Sequence, residues 1–289
     1  MSFIEIDSET CTTCGNCLET CPSDALEMGN ERGDEYARVS NPGLCISCGH
    51  CAASCPVGAI SCAQSNLRAP FEIQEIPANL PPEQQLFYSK RSARFFKPEK
   101  LDKDTIKTMI DYAEKAPSSH NCRNREYIVV TDENKIKEME DVVINVYRPL
   151  AKLFGPVFVK LARLSSKEAA AQTEEFSHTF KNIVAQRDKG EFPVFRNAPC
   201  VVLIAAPKGY DQSRDDCVAA QNYMMLYAQT LGIGSCISGY GQYAHKKLSR
   251  YFGLPKSKRI FAISFFGYPR MSLKKSIRFK EPSITWEGE

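Results

Sequence analysis

Several features that would place a protein in a familiar class are missing from this sequence. No apolar run approaches the roughly 20 residues of a membrane-spanning helix, and no charged and then apolar leader precedes the first cysteine. We therefore expect no membrane segment and no secretion signal. No G-x-G-x-x-G follows a run of strand-like residues, so a Rossmann site for a nicotinamide nucleotide is not expected. The four histidines take part in no Ser/His/Asp constellation.

Cysteine, by contrast, is plentiful: the chain of 289 residues has thirteen, and eight of them form two copies of one spacing. Each copy reads C-x-x-C-x-x-C-x-x-x-C-P, the first beginning at Cys11 and the second at Cys45. This is the run of bacterial-type ferredoxins, in which three thiolates hold one cubane and the fourth reaches across to the other. The first part of the chain thus resembles a ferredoxin module with two [4Fe–4S] clusters. Structural zinc, which needs only four ligands, and a disulfide scaffold are the alternatives.

The crossover divides the eight thiolates into two sets of four. The expected ligands of cluster one are Cys11, Cys14, Cys17 and Cys55, and those of cluster two are Cys45, Cys48, Cys51 and Cys21. The two copies also repeat each other beyond the cysteines, because residues 23–26 mirror residues 57–60. Ligated thiolates favour a reducing compartment, so the expected location is the cytoplasm.

Charge is divided unevenly along the chain, although the net charge of the whole is only +3. Residues 1–76 contain three cationic and eleven acidic side chains, a net charge of −8, so the remainder carries +11. Such asymmetry can indicate nucleic-acid binding. The basic part has no nucleic-acid motif and no series of stacking aromatic residues, so we expect no such partner. We expect it instead to dock the acidic electron-transfer module and to bind an anionic cofactor or substrate.

The composition changes between residues 62 and 86, where four prolines fall in a stretch with little periodicity. Proline stiffens such a segment and stops helices. The sequence therefore predicts a two-cluster ferredoxin-like domain over residues 1–66, a proline-rich linker over 67–86, and a larger domain over 87–289.

The larger domain mixes predicted helices and strands, so its expected fold class is α+β. Apolar residues at helical spacing predict helices over 102–116 and 134–146. Short runs rich in β-branched residues predict strands over 127–131, 200–206 and 260–267.

The segment 216–231 is apolar nearly all round, which predicts a helix that is buried on every face. In a domain of this size such a helix also indicates a subunit interface. A homodimer is therefore expected.

Four short motifs follow one another along the larger domain. It opens with K-R-S-A-R-F-F from Lys90, and A-P-S-S-H-N follows at the end of the first predicted helix. L-G-I-G-S-C-I-S-G begins at Leu231, and F-G-Y-P begins at Phe266, ahead of a basic tail. In this order the motifs resemble those of the flavin-dependent nitroreductase superfamily, over about residues 87–280. With the cysteine module, the whole chain resembles a ferredoxin-fused nitroreductase-family protein.

The resemblance implies a homodimer with FMN in two clefts at the subunit interface. It implies that the phosphate and ribityl chain of FMN are held by Lys90, Arg91, Ser92 and Arg94, with Lys275 and Arg278 completing the phosphate site. The loop that the partner subunit donates is matched by Pro117, Ser118 and Ser119. The edge of the isoalloxazine ring is matched by Asn121, and the backbone segment facing flavin N5 by Ile237, Ser238 and Gly239.

These residue types suit the cofactor on physical grounds. A dianionic phosphate favours clustered arginine and lysine side chains. Hydrogen bonds and charge near N1 and N5 tune the potential of a flavin. A glycine at position 239 allows the backbone to approach the ring.

One motif departs from the family pattern, which usually continues as N-x-Q-P-W after the asparagine. Here Asn121 is followed by C-R-N-R-E-Y, so that Gln, Pro and Trp are absent and Arg123 and Arg125 are gained. We expect this change to alter the usual behaviour toward pyridine nucleotides and nitroaromatics. It would favour an anionic substrate or docking of the acidic module.

Five cysteines remain outside the two runs, and they are expected to be small buried or half-buried residues. They are Cys62, Cys122, Cys200, Cys217 and Cys236. A catalytic thiol at Cys122 or Cys236 is the alternative. His120 lies in the flavin motif, where filling the loop and donating a proton to the substrate are both open. The other histidines, His50, His178 and His245, are expected at the surface.

The sequence as a whole predicts an FMN- and iron–sulfur-dependent oxidoreductase of the cytoplasm. Electrons are expected to enter singly through the clusters from ferredoxin or another reductase, pass to FMN, and leave as a pair. The expected acceptor is a small organic molecule, such as a nitro compound, a quinone or an activated alkene. Two other functions stay open: an electron-transfer flavoprotein relay to a larger protein partner, and a flavin-reducing or flavin-modifying enzyme.

Overall fold

The computed structural model describes residues 3–31, 34–62, 71–154, 156–271, 273, 275–279 and 281–288. These residues form two compact units. The first comprises Met1–Ser89 together with Met271–Glu289, and the second comprises Lys90–Arg270. Within the described ranges, no helix has both the length and the apolar character needed to cross a membrane.

Short strands and short helices make up the first unit. Its elements, numbered in chain order, are β1 (Ile4–Ile6), α1 (Asn16–Thr20), β2 (Leu26–Glu31), β3 (Asp34–Val39), a 3₁₀ turn (Pro42–Leu44), α2 (His50–Ser54), β4 (Ile60–Cys62), β5 (Glu72–Glu75), α3 (Pro82–Ser89) and β10 (Lys275–Arg278). The strands pair two by two, all antiparallel: β1 with β4, β2 with β3, and β5 with β10.

The pair of β5 and β10 closes the first unit with segments from distant parts of the chain. Ile277 of β10 is buried in the core of this unit together with Phe71, which precedes β5. The structure therefore differs from the predicted linker at β5 and α3, and from the predicted larger domain at β10; residues 67–70 lie outside the described part. A ladder between strands about 200 residues apart leaves no local pattern in either segment.

The second unit is built around one antiparallel sheet with strand order β6-β7-β9-β8. Its elements are α4 (Lys103–Ala113), a 3₁₀ turn (Ser119–Asn121), β6 (Glu126–Val130), α5 (Glu133–Leu153), α6 (Pro156–Arg163), α7 (Lys167–Asp188), β7 (Cys200–Pro207), α8 (Ser213–Thr230), β8 (Gly234–Ile237), α9 (Gly239–Tyr243), α10 (His245–Tyr251) and β9 (Lys258–Gly267). These mixed helices and strands confirm the predicted α+β class.

Helices cover both faces of this sheet. Along β7, Val201 and Leu203 pack with the residues of α5, α7 and α10, whereas Val202 and Ile204 pack with those of α4 and α8. Because both faces are covered, β7 is an unbroken apolar run and shows no alternation with polar residues.

The predicted helices and strands of this unit are present, with different ends. α5 runs on to Leu153, past Pro149, and α8 begins at Ser213. Within one chain, α8 is not buried on every face, because Tyr223 is 44 % exposed. Side chains just before three helices cap them: Asp102, Asp132 and Ser166 accept hydrogen bonds from the first turns of α4, α5 and α7.

Candidate functional site

The eight spaced cysteines surround two small cavities in the first unit. One cavity is lined by Cys11, Cys14, Cys17 and Cys55, and the other by Cys21, Cys45, Cys48 and Cys51. These are the two sets that the crossover predicts. Among the described residues, no three His, Cys, Asp or Glu side chains form a group that could hold a metal ion. Thiols spread around a cavity fit a four-iron cluster better than one zinc, whose thiolates all lie at about 2.3 Å from the metal.

The backbone repeats along with the cysteines. Gly15 and Gly49, each between the second and third cysteine of its run, have left-handed φ of 74° and 73°. This conformation suits glycine and lets the chain turn tightly into α1 and α2. The two helices meet where Thr20 Oγ1 and Ser54 Oγ, 34 residues apart in sequence, lie 3.1 Å from each other. The sequence repeat is therefore also a structural repeat.

The surroundings of these thiols suit metal-bound sulfur. The backbone N–H of Ala25 donates to Cys21 Sγ at 3.4 Å, and that of Ala59 donates to Cys55 Sγ at 3.3 Å. Burial raises the pKa of Cys17 to about 11, and a bound metal would replace the proton of its thiol. The donor set and its environment therefore fit iron–sulfur clusters.

In the second unit, the basic opening segment lies along the edge strand β8. Ser92 forms a bridge with Ser235, and the N–H of Ala93 donates to Ser235 O at 3.0 Å. The contact is close: a Cβ added to Gly234 would lie 2.5 Å from Ala93 Cβ. The neighbouring Lys90 is half-buried, and its burial lowers its pKa to about 8.

Arg94 of the same segment carries a buried nitrogen that needs an acceptor. Its Nη1 has no hydrogen-bond partner among the described residues. A buried donor of this kind is costly unless a ligand or water accepts from it, and an anionic oxygen is the strongest acceptor. The segment therefore fits a phosphate.

The other end of β8 leads into the turn that matches the flavin N5 segment. Ile237 is 46 % exposed, whereas Ser238 is buried and caps α9 by accepting from Gly241 N at 3.1 Å. A Cβ added to Gly239 would meet no atom within 4 Å, so there is open space beside this turn. One edge strand thus brings two of the four motifs together.

The loop after α4 contains four of the residues predicted to contact FMN: Pro117, Ser118, Ser119 and Asn121. Hydrogen bonds fix the conformation of this loop. His120 and Asn121 both have left-handed φ, of 49° and 53°, which is uncommon for residues other than glycine. Asp216 Oδ1 accepts from Ser119 N at 2.9 Å, and Ser118 Oγ accepts from Arg123 N at 3.2 Å. Pro117 begins this loop and is exposed.

Arg123 and Arg125, gained relative to the family pattern, both support this loop. Arg123 Nε donates to Asn121 Oδ1 at 2.8 Å, so the asparagine amide is oriented by its neighbour. The Arg125 side chain is fully buried and forms an ion pair with Glu114 at 3.2 Å. Tyr127 donates to the same carboxylate at 2.6 Å. Arg125 is thus a structural cation beneath the loop, and it does not present its charge to a substrate as expected.

A short chain of hydrogen bonds ends at His120. Cys122 Sγ donates to the Tyr210 hydroxyl at 2.9 Å, and that hydroxyl lies 3.2 Å from His120 Nδ1. The contact with Cys122 raises the pKa of Tyr210. No local pattern indicates Tyr210 or Asp216 as site residues, because one lies in the loop after β7 and the other in the first turn of α8.

Lys275 and Arg278 lie in β10 of the first unit, where both have partners. Lys275 Nζ donates to Cys55 O at 3.4 Å and lies 3.8 Å from Glu75, and Arg278 pairs with Glu281. Their role at the FMN phosphate stays a prediction.

The remaining cysteines and histidines are placed as follows. Cys122 is half-buried and Cys200, Cys217 and Cys236 are buried, as expected, whereas the side chain of Cys62 lies outside the described part. His178 is exposed, as predicted. The surface position predicted for His50 is wrong, since it is 7 % exposed. His245 is half-buried beside Arg259, and burial lowers its pKa to about 4.

Two family models match the chain. That of the nitroreductase family matches residues 88–268, and that of the 4Fe–4S dicluster domain matches residues 10–59. Since the first match spans more than half of the chain, the protein belongs to the nitroreductase family. The two matches confirm the predicted fused architecture, and the protein is an oxidoreductase of a flavin-dependent family that also carries an iron–sulfur domain.

Individual relatives are more distant. A curated protein of Archaeoglobus fulgidus named as an NADH dehydrogenase/NAD(P)H nitroreductase is 25 % identical over 192 residues, 64 % of this chain and 84 % of that protein. A nitroreductase of Bacteroides fragilis, solved with bound FMN, has a TM-score of 0.50 and 15 % identity and covers 71 % of this chain and 96 % of its own. A nitroreductase of Desulfitobacterium hafniense, also solved with FMN, has a TM-score of 0.49 and 19 % identity and covers 71 % and 95 %. The Bacteroides structure shows a shared fold.

Proposed function

We propose that this protein passes electrons from two [4Fe–4S] clusters to FMN and on to a small organic acceptor. One observation carries the proposal: a unit whose eight cysteines line two cavities lies on the same chain as a nitroreductase-family unit. Clusters carry single electrons, whereas FMN, when bound, stores two and can transfer them as hydride. A chain that holds both kinds of cofactor can collect single electrons and deliver a pair.

The basic opening segment is the proposed phosphate site for FMN. Lys90, Arg91, Ser92 and Arg94 form this segment, and the unpartnered nitrogen of Arg94 supports an anionic ligand there. The FMN bound by the Bacteroides fragilis relative supports the same cofactor here. Clustered arginine and lysine side chains are suited to a terminal phosphate, which favours FMN over a flavin without one.

Two further segments are proposed to meet the isoalloxazine ring. Asn121, oriented by Arg123, is placed at the ring edge, and the N–H groups of residues 237–239 are placed at N5. The open space beside Gly239 supports this assignment. Hydrogen bonds at these positions would stabilise charge on the reduced ring.

His120 is the proposed proton donor to the acceptor. Hydride transfer to a quinone, nitro group or alkene leaves an anion, which takes up one proton. His120 is exposed and is held through Nδ1 by Tyr210, so its other nitrogen is directed away from that contact. Tyr210 is a positioning residue for this ring.

The proposed enzyme is a homodimer in which residues 117–119 reach the cofactor of the partner subunit. The outer surface of α4 and α8 supports this assembly. Tyr112 and Tyr227 stack with their ring centroids 3.7 Å apart, and Tyr112, Tyr223 and Leu231 are all more than 40 % exposed. An aromatic face of this kind is typical of an interface.

Ferredoxin or another reductase is the proposed electron donor, because the cluster-bearing unit is acidic and accepts single electrons. The sequence of that unit has seven cationic and fifteen acidic side chains. NAD(P)H, which appears in the name of the Archaeoglobus fulgidus relative, is the competing donor.

Loss of one ligand from each cluster tests the electron path. Cys14→Ala combined with Cys48→Ala should leave FMN bound, because neither residue belongs to the second unit. Flavin reduction by reduced ferredoxin, followed anaerobically by absorbance, should slow by orders of magnitude, whereas reduction by dithionite should stay fast. The matched control is Cys200→Ala, which removes a thiol outside both cavities and outside the flavin motifs. Flavin reduction by ferredoxin at the wild-type rate in the double variant would contradict the path.

A further inference from the structure

The second unit contains a groove that none of the residues assigned to FMN lines. Its floor is formed by the buried side chains of Phe96, Ile136 and Ala198, and Phe192 forms a wall. The volume of the groove is about 270 Å³. Sites for small molecules commonly measure about 300–1,000 Å³, so the groove has room for a ligand at the small end of that range. We refer to it below as the Phe192 groove.

Part of the Phe192 groove lies toward the edge of the sheet opposite the proposed flavin site. It is lined by Thr131, which follows the edge strand β6, and by Pro199, which precedes β7. The segments 90–94 and 237–239 lie along or after β8, the other edge strand. Phe96 and Lys97 of the groove follow Arg94 closely in the sequence, but none of the residues assigned to FMN lines the groove.

Positive charge surrounds the mouth of the Phe192 groove. Four cationic residues line it: Lys97, Lys100, Lys137 and Arg270. Glu133 is the single acid among the described residues that line it, and it pairs with Lys137 at 2.5 Å. In the part of the chain that the structure describes, none of the other three cations forms an ion pair. The groove thus combines an apolar floor with a net positive rim.

Arg270 and Phe192 are both held in place at this mouth. Arg270 Nε donates to Phe96 O at 3.0 Å, and its backbone N–H donates to Phe95 O at 3.0 Å. The ring of Phe192 lies beneath two cations, with Arg187 at 4.7 Å and Lys137 at 5.7 Å from its centroid. A ligand would therefore meet a preformed wall and an anchored guanidinium, which lowers the entropy cost of binding.

The loop that forms one wall of the groove has a strained backbone, and a buried carboxylate holds this loop in place. Arg196 and Asn197 both have left-handed φ, of 56° and 51°. The buried carboxylate of Glu140 holds this loop by accepting from Val194 N at 2.7 Å and from Phe195 N at 3.0 Å. Consecutive residues in this conformation are costly and concentrate at binding sites and switches. Asn197, one of the two strained residues, lines the groove.

We propose that the Phe192 groove binds a small aromatic carboxylate. The flat apolar body would lie on Phe96, Ile136 and Ala198, and the carboxylate would meet Arg270 and the two unpaired lysines. An arginine anchored through Nε keeps its two terminal nitrogens for a carboxylate. A polyanion such as a nucleic acid would gain nothing from the narrow apolar floor, and an uncharged arene would gain nothing from the rim.

Two matched ligands test this proposal on full-length holo-protein. The probes are 2-naphthoate and the uncharged 2-naphthalenemethanol, and binding is measured by isothermal titration. Naphthoate should bind at least about tenfold more tightly than the alcohol, and Arg270→Gln should weaken naphthoate alone by about tenfold. Lys97→Gln should act in the same direction. Lys135→Gln, on the same helix as Lys137 but away from the groove, should change nothing.

The flavin supplies an independent readout. FMN content and the rate of flavin reduction should be unchanged in Arg270→Gln, and naphthoate should leave the absorbance spectrum of bound FMN unchanged. The proposal is overturned if the alcohol binds as tightly as the carboxylate, or if both glutamine variants bind naphthoate like the wild type. A change in the flavin spectrum on addition of naphthoate would also overturn it, by assigning the probe to the flavin cleft.

Discussion

His120 has two ring nitrogens, and among the described residues the structure engages only Nδ1. A histidine held in this way can exchange a proton at Nε2 without moving, which is the property a proton donor needs. The left-handed backbone at this position supports the same interpretation, because a strained loop residue is retained where its direction matters.

Replacing His120 by asparagine removes the proposed proton donor while keeping a residue that tolerates a left-handed backbone. We expect kcat for the organic acceptor to fall by about a hundredfold, the lower end of what a positioned general acid supplies. FMN content and flavin reduction by ferredoxin should not change, since neither needs this proton. Steady-state and stopped-flow kinetics measure the two effects separately.

Tyr210→Phe and a distant control complete this series. The phenylalanine leaves the ring of His120 without its partner, so the pH profile of kcat should shift while FMN stays bound. His178→Asn, on the exposed side of α7, should behave like the wild type. An His120→Asn variant with unchanged kcat and an unchanged pH profile would place the proton donor elsewhere.

At the scale of elements, the outer face of α8 indicates that the protein needs a partner subunit. Within a single chain this face leaves Tyr223 and the stacked pair of Tyr112 and Tyr227 at the surface. Tyr223→Glu should therefore weaken the dimer at least tenfold, because a buried unpaired charge costs several kcal/mol. Light scattering should then report monomers, and these should lose FMN because residues 117–119 no longer reach a partner.

Asn134→Glu, which adds the same charge at an exposed position of α5, is the control for that variant. It should stay dimeric and keep its flavin. A wild-type protein that is a stable monomer with bound FMN would refute the dimer and the assignment of residues 117–119 together.

The elements that could be predicted are those whose information is local. The apolar spacing of α4 and the β-branched run of β7 are visible in a few residues each. The cysteine runs are equally local, because the ligand spacing is imposed by the size of one cluster. The order of four short motifs was enough to assign the family.

What could not be predicted depends on partners far away in the sequence. β5 is a strand because β10 lies beside it, and its own four residues alternate too weakly to show this. The support of the 117–121 loop by Asp216 joins residues about 100 positions apart. Glu140 is buried because it accepts two backbone hydrogen bonds from a distant loop, and its burial raises its pKa to about 7. No local pattern contains such pairings.

At the scale of the whole molecule, the segment Met271–Glu289 belongs to the same compact unit as Met1–Ser89. Ile277 is 6 % exposed within the core that also contains Cys17, Cys51 and Cys55. Ile277→Ala should destabilise the cluster unit by about 2–5 kcal/mol, the usual effect of emptying such a site. Iron and sulfide content should fall, whereas FMN content should change little.

Ile284→Ala is the matched control, since that side chain is 59 % exposed near the same end of the chain. It should keep both cofactors. If Ile277→Ala instead lost FMN and kept its iron, residues 275–278 would be needed mainly for the flavin site, as the family resemblance implies for Lys275 and Arg278.

The pairing of β5 with β10 also determines the order in which the two units can fold during synthesis of the chain. A ribosome delivers the cysteines of the first unit early, but the strand that completes their unit emerges only after residues 90–270 have been made. The second unit can therefore fold while the first is still open, the reverse of the usual order from the N-terminus. A protein truncated after residue 270 should accordingly hold FMN more firmly than iron, and cluster insertion should become stable only in a chain that includes β10.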